Sequence, residues 1–71
     1  MTIYCLTPHR NGVSHTIQER HPGYPMIEVG HLRPAYVPEH EGAGWVARDR
    51  LGRIYSAETA EEALAVFAHR P

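Results

Sequence analysis

The sequence predicts an α+β domain in which a small antiparallel sheet of four or five short strands carries one C-terminal helix on a face. Three observations predict it: β-branched segments separated by turn residues, a capped amphipathic segment at the end of the chain, and a length of 71 residues. A chain this short buries only about 60% of the surface that its unfolded state exposes. We therefore expect one domain over all 71 residues, with a thin core and an oligomeric state left open.

The first two strands are predicted from the N-terminal segment. Thr2 to Leu6 is an apolar run typical of a strand, and the Asn11-Gly12 pair after it is a strong hairpin signal. The segment from Ser14 to Arg20 also contains good helix formers, so a short helix is the alternative there. Its β-branched residues favour the strand.

A third strand is predicted from Met26 to Val29, bounded by Pro25 and Gly30. The segment from Arg33 to Gly44 is rich in proline and glycine, which indicates a surface loop. Such a loop could hold or cover a binding site for a partner.

The C-terminal third predicts a hairpin followed by a helix. One strand starts at Trp45, Leu51-Gly52 forms the turn, and the second strand runs through Ile54 and Tyr55. Both aromatic residues, Trp45 and Tyr55, are expected in the core because they lie in the best-defined strands.

The helix is predicted from its capping signal and its apolar periodicity. Thr59 is the expected N-cap, and Glu62 three residues later completes a capping box. The apolar stripe has Val66 on its flank and consists of Ala60, Ala63, Leu64 and Phe67. We expect His69 and Arg70 in the last turn, where positive charge is favourable.

The composition excludes several classes of protein. With 42% hydrophobic residues, 21% charged residues and a net charge of -1, the chain is neither a disordered tail nor a polyelectrolyte. It has no apolar run near the ~20 residues of a membrane span and no signal-peptide pattern. We therefore expect a cytoplasmic protein without a membrane partner.

The metal and cofactor motifs are missing. Cys5 is the single cysteine, so neither an internal disulfide nor a cysteine zinc site is possible. Its apolar neighbours predict a small buried hydrophobic residue, and activation by His9 as a nucleophile is the alternative. The six histidines include no HxxxH or HExxH pair. No metal or cofactor is predicted.

The sequence predicts no enzyme. It contains no GxGxxG, GxxxxGK[ST], GxSxG or EF-hand pattern. Glu39 and Glu41 flank His40 and resemble an acid-base pair, but no nucleophile lies near them in the sequence.

Two charged groups and two aromatic residues are the candidate interaction surface. Their members are Arg48, Arg50 and Arg53 around the predicted turn, Glu58, Glu61 and Glu62 at the helix start, and the aromatic residues Tyr24 and Tyr36. Strand alternation places Arg48 and Arg50 on the same side. Asp49 lies between them, and the pI near 6.6 is low for a dedicated DNA-binding domain.

Two resemblances add to this interpretation. The tail GWVARDRLGRIYSAETAEEALAVFAHR, in a short chain without a catalytic signature, resembles small proteins of phages and mobile elements. In size and layout the chain is similar to type I anti-CRISPR proteins, which bind a bacterial CRISPR complex or its nuclease. The tail also resembles the strand-strand-helix modules that bind DNA through a small sheet, as in integrase arm-binding domains.

These resemblances imply two hypotheses about function. The first is a non-enzymatic inhibitor that occupies a site on a larger bacterial nucleic-acid-handling complex, such as a CRISPR effector, in the host cytoplasm. An exposed tyrosine would serve as the anchor. The alternative is a small nucleic-acid-binding or regulatory module that uses Arg48, Arg50 and Arg53.

Overall fold

The structure, a computed structural model, describes residues 2–35 and 44–70. Its elements are β1 (Ile3–Pro8), β2 (His15–Arg20), β3 (Ile27–Pro34), β4 (Trp45–Asp49), β5 (Ile54–Ala57) and α1 (Ala60–Ala68). Each strand pairs antiparallel with the next along the chain, which gives the sheet order β1-β2-β3-β4-β5. The predicted α+β fold, with one C-terminal helix on a small antiparallel sheet, is confirmed.

The β1–β2 turn is organised by one asparagine side chain. Asn11 Oδ1 accepts hydrogen bonds from the backbone N–H groups of Val13, at 3.0 Å, and Ser14, at 2.9 Å. Gly12 has a φ of 77°, a conformation that a side chain disfavours. The segment after this turn is the strand β2, so the alternative of a helix from residue 14 to residue 20 is wrong.

β3 is longer than predicted, and two of the predicted boundaries are wrong. It continues through Gly30 to Pro34, so Gly30 does not end a strand, and Arg33 does not begin a loop. The register against β2 shifts next to Ile17, where Val29 is an extra residue. A Cβ atom on Gly30 would meet the backbone oxygen of Arg48 and lie 2.9 Å from Phe67 Cε2. Close packing of the helix therefore requires this glycine.

α1 begins as predicted and ends earlier than predicted. Thr59 Oγ1 accepts a hydrogen bond from the Glu62 N–H at 3.1 Å, which confirms the N-cap. The helix ends at Ala68, so the placement of His69 and Arg70 in its last turn is wrong. His69 is the C-cap. Arg70 instead folds back and donates from Nη1 to the Phe67 carbonyl at 2.9 Å.

The core lies between α1 and one face of the sheet. α1 packs on β4 and β5 and, less extensively, on β3. Tyr4 and Tyr55 meet the buried Phe67 ring edge-on, each at 5.9 Å between ring centroids. Trp45 and Tyr55 are partly buried against this core. The buried cluster consists of Ile17, Val29, Leu32, Ala47, Ala63 and Phe67.

Candidate functional site

The strand register separates the sheet into a face that carries α1 and a face that we call the open face. Gly30 and Tyr55 meet Phe67, so these positions define the helix-bearing face. Residues paired across antiparallel strands share a face, and neighbours along a strand alternate. The open face therefore carries one row across all five strands, formed by Thr7, Thr16, His31, Arg48 and Ile54.

The open face is mostly exposed or half-buried. Among its described residues only Val46 is fully buried, at 0% relative exposure. Cys5 lies on this face opposite Gln18 and is a half-buried free thiol, not the fully buried residue that its apolar neighbours predict. The part of this face that a ligand can reach includes Arg48 and extends toward the β4–β5 turn.

Basic residues dominate the charge on the open face. Arg20 and Arg48 are exposed there, and Arg33 is half-buried and donates to the Pro34 carbonyl at 3.3 Å. Glu28 is the only acidic residue that the register places on this face within residues 2–35 and 44–70. Among the described residues of this face, positive charges therefore outnumber negative ones, on a chain whose net charge is -1.

A pair of histidines lies in the middle of this face. His9 Nε2 and Thr16 Oγ1 are 2.7 Å apart, within hydrogen-bond distance. The rings of His9 and His31 are 5.6 Å apart in an edge-on arrangement. His31 Nε2 lies 3.3 Å from Glu28 Oε1. The two imidazoles thus connect the β1 side of the face to the carboxylate on β3.

Two of the predicted arginines meet at a polar pocket of about 330 Å³. Arg48 and Arg50 both line it, but β4 ends at Asp49 and Arg50 lies in the turn, so strand alternation does not account for its position. The Arg48 guanidinium passes over Gly52, with Nη2 3.6 Å from where a Cβ would stand. The complete lining is Glu28, Gly30, His31, Arg48, Asp49, Arg50 and Gly52.

Asp49 organises the β4–β5 turn. Its Oδ1 accepts from the N–H groups of Leu51 and Arg53, each at 2.9 Å, and its Oδ2 accepts from the Tyr55 hydroxyl at 3.1 Å. Desolvation by itself would raise the pKa of this carboxyl, but these hydrogen bonds and the Arg53 charge outweigh it, so the pKa lies below its usual value. These hydrogen bonds hold the carboxylate in its ionised form in a fixed position beside the arginines.

The other predicted residues lie apart from this pocket. Arg53 is exposed, does not line it, and stands at the start of β5. Glu58, Glu61 and Glu62 are exposed at the other end of β5, around the start of α1. Tyr24 is 75% exposed in the β2–β3 turn. Tyr36 lies outside the described residues, as do Glu39, His40 and Glu41.

Tyr24 belongs to an apolar surface. It lines an open cavity of about 600 Å³ with residues of the same turn, and Met26 and Ile27 there are 51% and 44% exposed. The lining is His21, Pro22, Tyr24, Pro25, Met26 and Ile27, which we call the Tyr24 patch.

The sequence interpretation missed the contributions of Glu28 and His31. Gly30 suggested a strand end, so His31 was not assigned to a strand and its face could not be predicted. The register determines the face of His31, because His31 pairs with Arg48. A strand signal that continued through Gly30 to Leu32 would have assigned His31 to a strand, but its partner on β4 depends on the register.

Two further observations concern metal ions and membranes. Among residues 2–35 and 44–70, no three histidine, cysteine or acidic side chains are grouped to hold a metal ion. The helix found there has nine residues and is too short to cross a membrane. Comparison of the chain with family models, curated proteins and solved structures found no match.

Proposed function

We propose that this chain is a non-enzymatic nucleic-acid-binding protein and that the open face contacts the phosphate backbone. The observation that supports this proposal is the separation of charge. Arg20 and Arg48 are exposed on the open face, which has a single described carboxylate, and Arg50 lines the pocket at its edge. Arginine side chains that neutralise phosphates supply most of the affinity in sequence-independent binding.

Glu28 is the described carboxylate that shares the open face with this charge, and the other acidic residues lie elsewhere or are engaged in the fold. Asp49 is engaged by the turn, and Glu19 Oε2 lies 3.0 Å from His21 Nε2. The three glutamates around the start of α1 are separated from Arg53 by the length of β5. A low pI therefore does not preclude a basic surface.

The aromatic residues indicate how the nucleic acid is held. Tyr4, Trp45, Tyr55 and Phe67 all belong to or pack against the core on the helix-bearing face. No Phe, Trp or Tyr side chain lies on the open face among the described residues. Binding of single strands usually relies on such aromatic platforms. The surface therefore favours contacts to the backbone of a duplex.

Fluorescence anisotropy with a labelled duplex of about two helical turns tests this proposal. We expect log K to fall with log salt concentration with a slope of about -3, for three to four phosphate contacts. Arg48→Gln should weaken binding and reduce the magnitude of that slope by about 1. Arg20→Gln should act similarly.

Arg53→Gln is the matched control, because Arg53 is in the same hairpin and outside the pocket. We expect its effect to be smaller than that of Arg48→Gln. Equal effects would favour a contact through the turn instead of the open face. Binding that is absent at low salt, or that does not respond to Arg20→Gln and Arg48→Gln, would contradict the proposal.

The Tyr24 patch supports a second candidate function, a protein-binding inhibitor of a bacterial nucleic-acid-handling complex such as a CRISPR effector. Exposed tyrosine within an apolar surface is a frequent anchor in protein interfaces. A pull-down from bacterial lysate with and without nuclease separates the two functions. A defined protein complex that survives nuclease and is lost with Tyr24→Ser would favour the inhibitor. Material that disappears with nuclease would favour the nucleic-acid-binding protein.

A further inference from the structure

The polar pocket beside the β4–β5 turn has balanced formal charge when histidine is neutral. Arg48 and Arg50 contribute two positive charges to its lining, and Glu28 and Asp49 contribute two negative charges. His31 is the remaining ionisable group in the lining. The net charge of the pocket is therefore zero when this imidazole is neutral and positive when it carries a proton.

The two arginines present donors suited to an oxyanion. Neither guanidinium has a hydrogen bond or an ion pair among the described residues. A guanidinium offers planar pairs of N–H donors that match the oxygens of phosphate. The volume of about 330 Å³ corresponds to about ten water molecules, which leaves room for a phosphoryl group with part of its hydration shell.

The two carboxylates in the pocket differ in what they contact. Both oxygens of Asp49 accept hydrogen bonds from the turn and from Tyr55. Among the described residues, Glu28 has one ion-pair contact, with His31 at 3.3 Å, and both side chains are half exposed or more. Glu28 is thus the carboxylate that repels an entering anion, and protonated His31 is the group that can neutralise it.

We propose that this pocket binds a tetrahedral oxyanion, chemically a phosphate, and that protonation of His31 activates it. This inference rests on the proposed function for the source of the phosphate, a nucleic-acid backbone. At neutral pH and above, Glu28 opposes the arginines. When His31 gains a proton, the ion pair with Glu28 removes that opposition and the pocket becomes net positive. Histidine is the side chain whose charge changes between about pH 5 and 8.

Some of the groups that surround His31 favour its protonation and others oppose it. Arg48, its register partner on β4, opposes protonation, as does a protonated His9 ring at 5.6 Å. Glu28 favours it. A bound oxyanion would favour it further, so anion binding and proton uptake are coupled. The groups that face His31 are Thr16 on β2, Arg48 on β4, Glu28 on its own strand, His9 after β1 and Arg50 in the pocket lining.

Titration of the full chain with inorganic sulfate, followed by NMR of backbone amides and arginine Nε–H groups, tests the site. Sulfate is a suitable probe because its charge stays constant over the range in which histidine titrates. We expect binding to be at least about fivefold tighter at pH 6 than at pH 8, with shifts centred on Gly52, His31 and Arg48. His31→Gln should remove that pH dependence.

Glu28→Gln removes one negative charge from the pocket and should tighten sulfate binding at pH 8 by about fivefold. His9→Gln is the matched control: it removes a histidine on the same face that does not line the pocket, and most of the pH dependence should persist. Sulfate binding that is independent of pH, or that is unaffected by Glu28→Gln, overturns the inference. Circular dichroism of each variant at both pH values checks folding.

The same variants with the labelled duplex separate the two proposals. Duplex binding that depends on Arg48 without pH dependence retains the proposed function and rejects the switch. Sulfate binding that follows His31 without any duplex binding supports the oxyanion site and rejects nucleic acid as the source of the phosphate.

Discussion

Asp49 shows how a single residue can serve the fold beside a candidate site. In the sequence it is one acidic residue among arginines, which argues against a basic surface. In the structure its carboxylate closes the β4–β5 turn and bonds the Tyr55 hydroxyl. Its negative charge therefore stays beside the arginines, in a position that the turn fixes.

The lowered pKa of Asp49 predicts an acid dependence of stability. A carboxyl whose pKa is lower in the folded state stabilises the fold above its unfolded pKa, near about 4, and loses that contribution as the pH falls through the folded pKa. We expect Asp49→Asn to melt at a lower temperature than the unmodified chain at pH 6. The difference should shrink as the pH falls below about 4.

Thermal melts followed by circular dichroism at several pH values measure this difference. Glu61→Gln serves as the control, because Glu61 is exposed and makes no hydrogen bond or ion pair among the described residues. A difference between Asp49→Asn and the unmodified chain that stays constant from pH 6 to the acid range would refute the assignment of the effect to the Asp49 charge.

At the scale of elements, the stability of the helix α1 depends on its first residues. Thr59 Oγ1 is the side-chain acceptor for a helix-start amide, and no bond from the Glu62 carboxylate back to Thr59 is present in the described part of the chain. We expect Thr59→Ala to lower the free energy of unfolding by about 1 kcal/mol. Urea denaturation at equilibrium measures it.

Thr59→Ser is the control for that experiment because it keeps the hydroxyl acceptor. It should remain within about 0.5 kcal/mol of the unmodified chain. If Thr59→Ser and Thr59→Ala were equally destabilised, lost packing of the threonine methyl group would explain the result, and the capping interpretation would be wrong.

The elements also differ in how far the sequence predicts them. The β4–β5–α1 segment was predictable because its signals are local: a glycine in the turn, a capping threonine and an apolar stripe. β3 was not, because Gly30 looks like a strand end and is instead the position where Phe67 presses on the sheet. That contact joins residues 37 positions apart and leaves no local signal.

The candidate site was also only partly predictable from the sequence. Arg48 and Arg50 are close in the sequence, but β4 ends at Asp49, so alternation does not determine the side of Arg50. The roles of Glu28 and His31 depend on the bulge in β3 and on the pairing of His31 with Arg48. Register across non-adjacent segments is set by tertiary packing, so these two residues emerge only from the folded sheet.

At the scale of the whole molecule, the helix covers the sheet unevenly. α1 packs on β3, β4 and β5, whereas β1 is an edge strand that reaches the helix mainly through Tyr4 and Phe67. Elements with less buried contact open at lower free energy. We expect the amides of β1 to exchange with solvent faster than those of β4.

Hydrogen exchange measured by NMR, corrected for intrinsic rates, checks this order. The central strand β3 provides the internal reference, because it is paired on both sides and carries the buried Val29 and Leu32. Equal protection of β1 and β4 would mean that the sheet opens only as one unit.

The separation of charge has a consequence for how the molecule approaches a partner. A net charge of -1 gives a distant polyanion almost nothing to attract or repel. Arginines on one side and helix-start glutamates at the far end of β5 nevertheless form an electric dipole, on which that field exerts a torque. The protein would therefore rotate so that its arginines face the polyanion before contact. At about 0.1 M salt, this rotation occurs only within ~10 Å of the partner, because charges farther apart are screened. Added salt would therefore weaken the orientation of the protein more than its attraction to the partner.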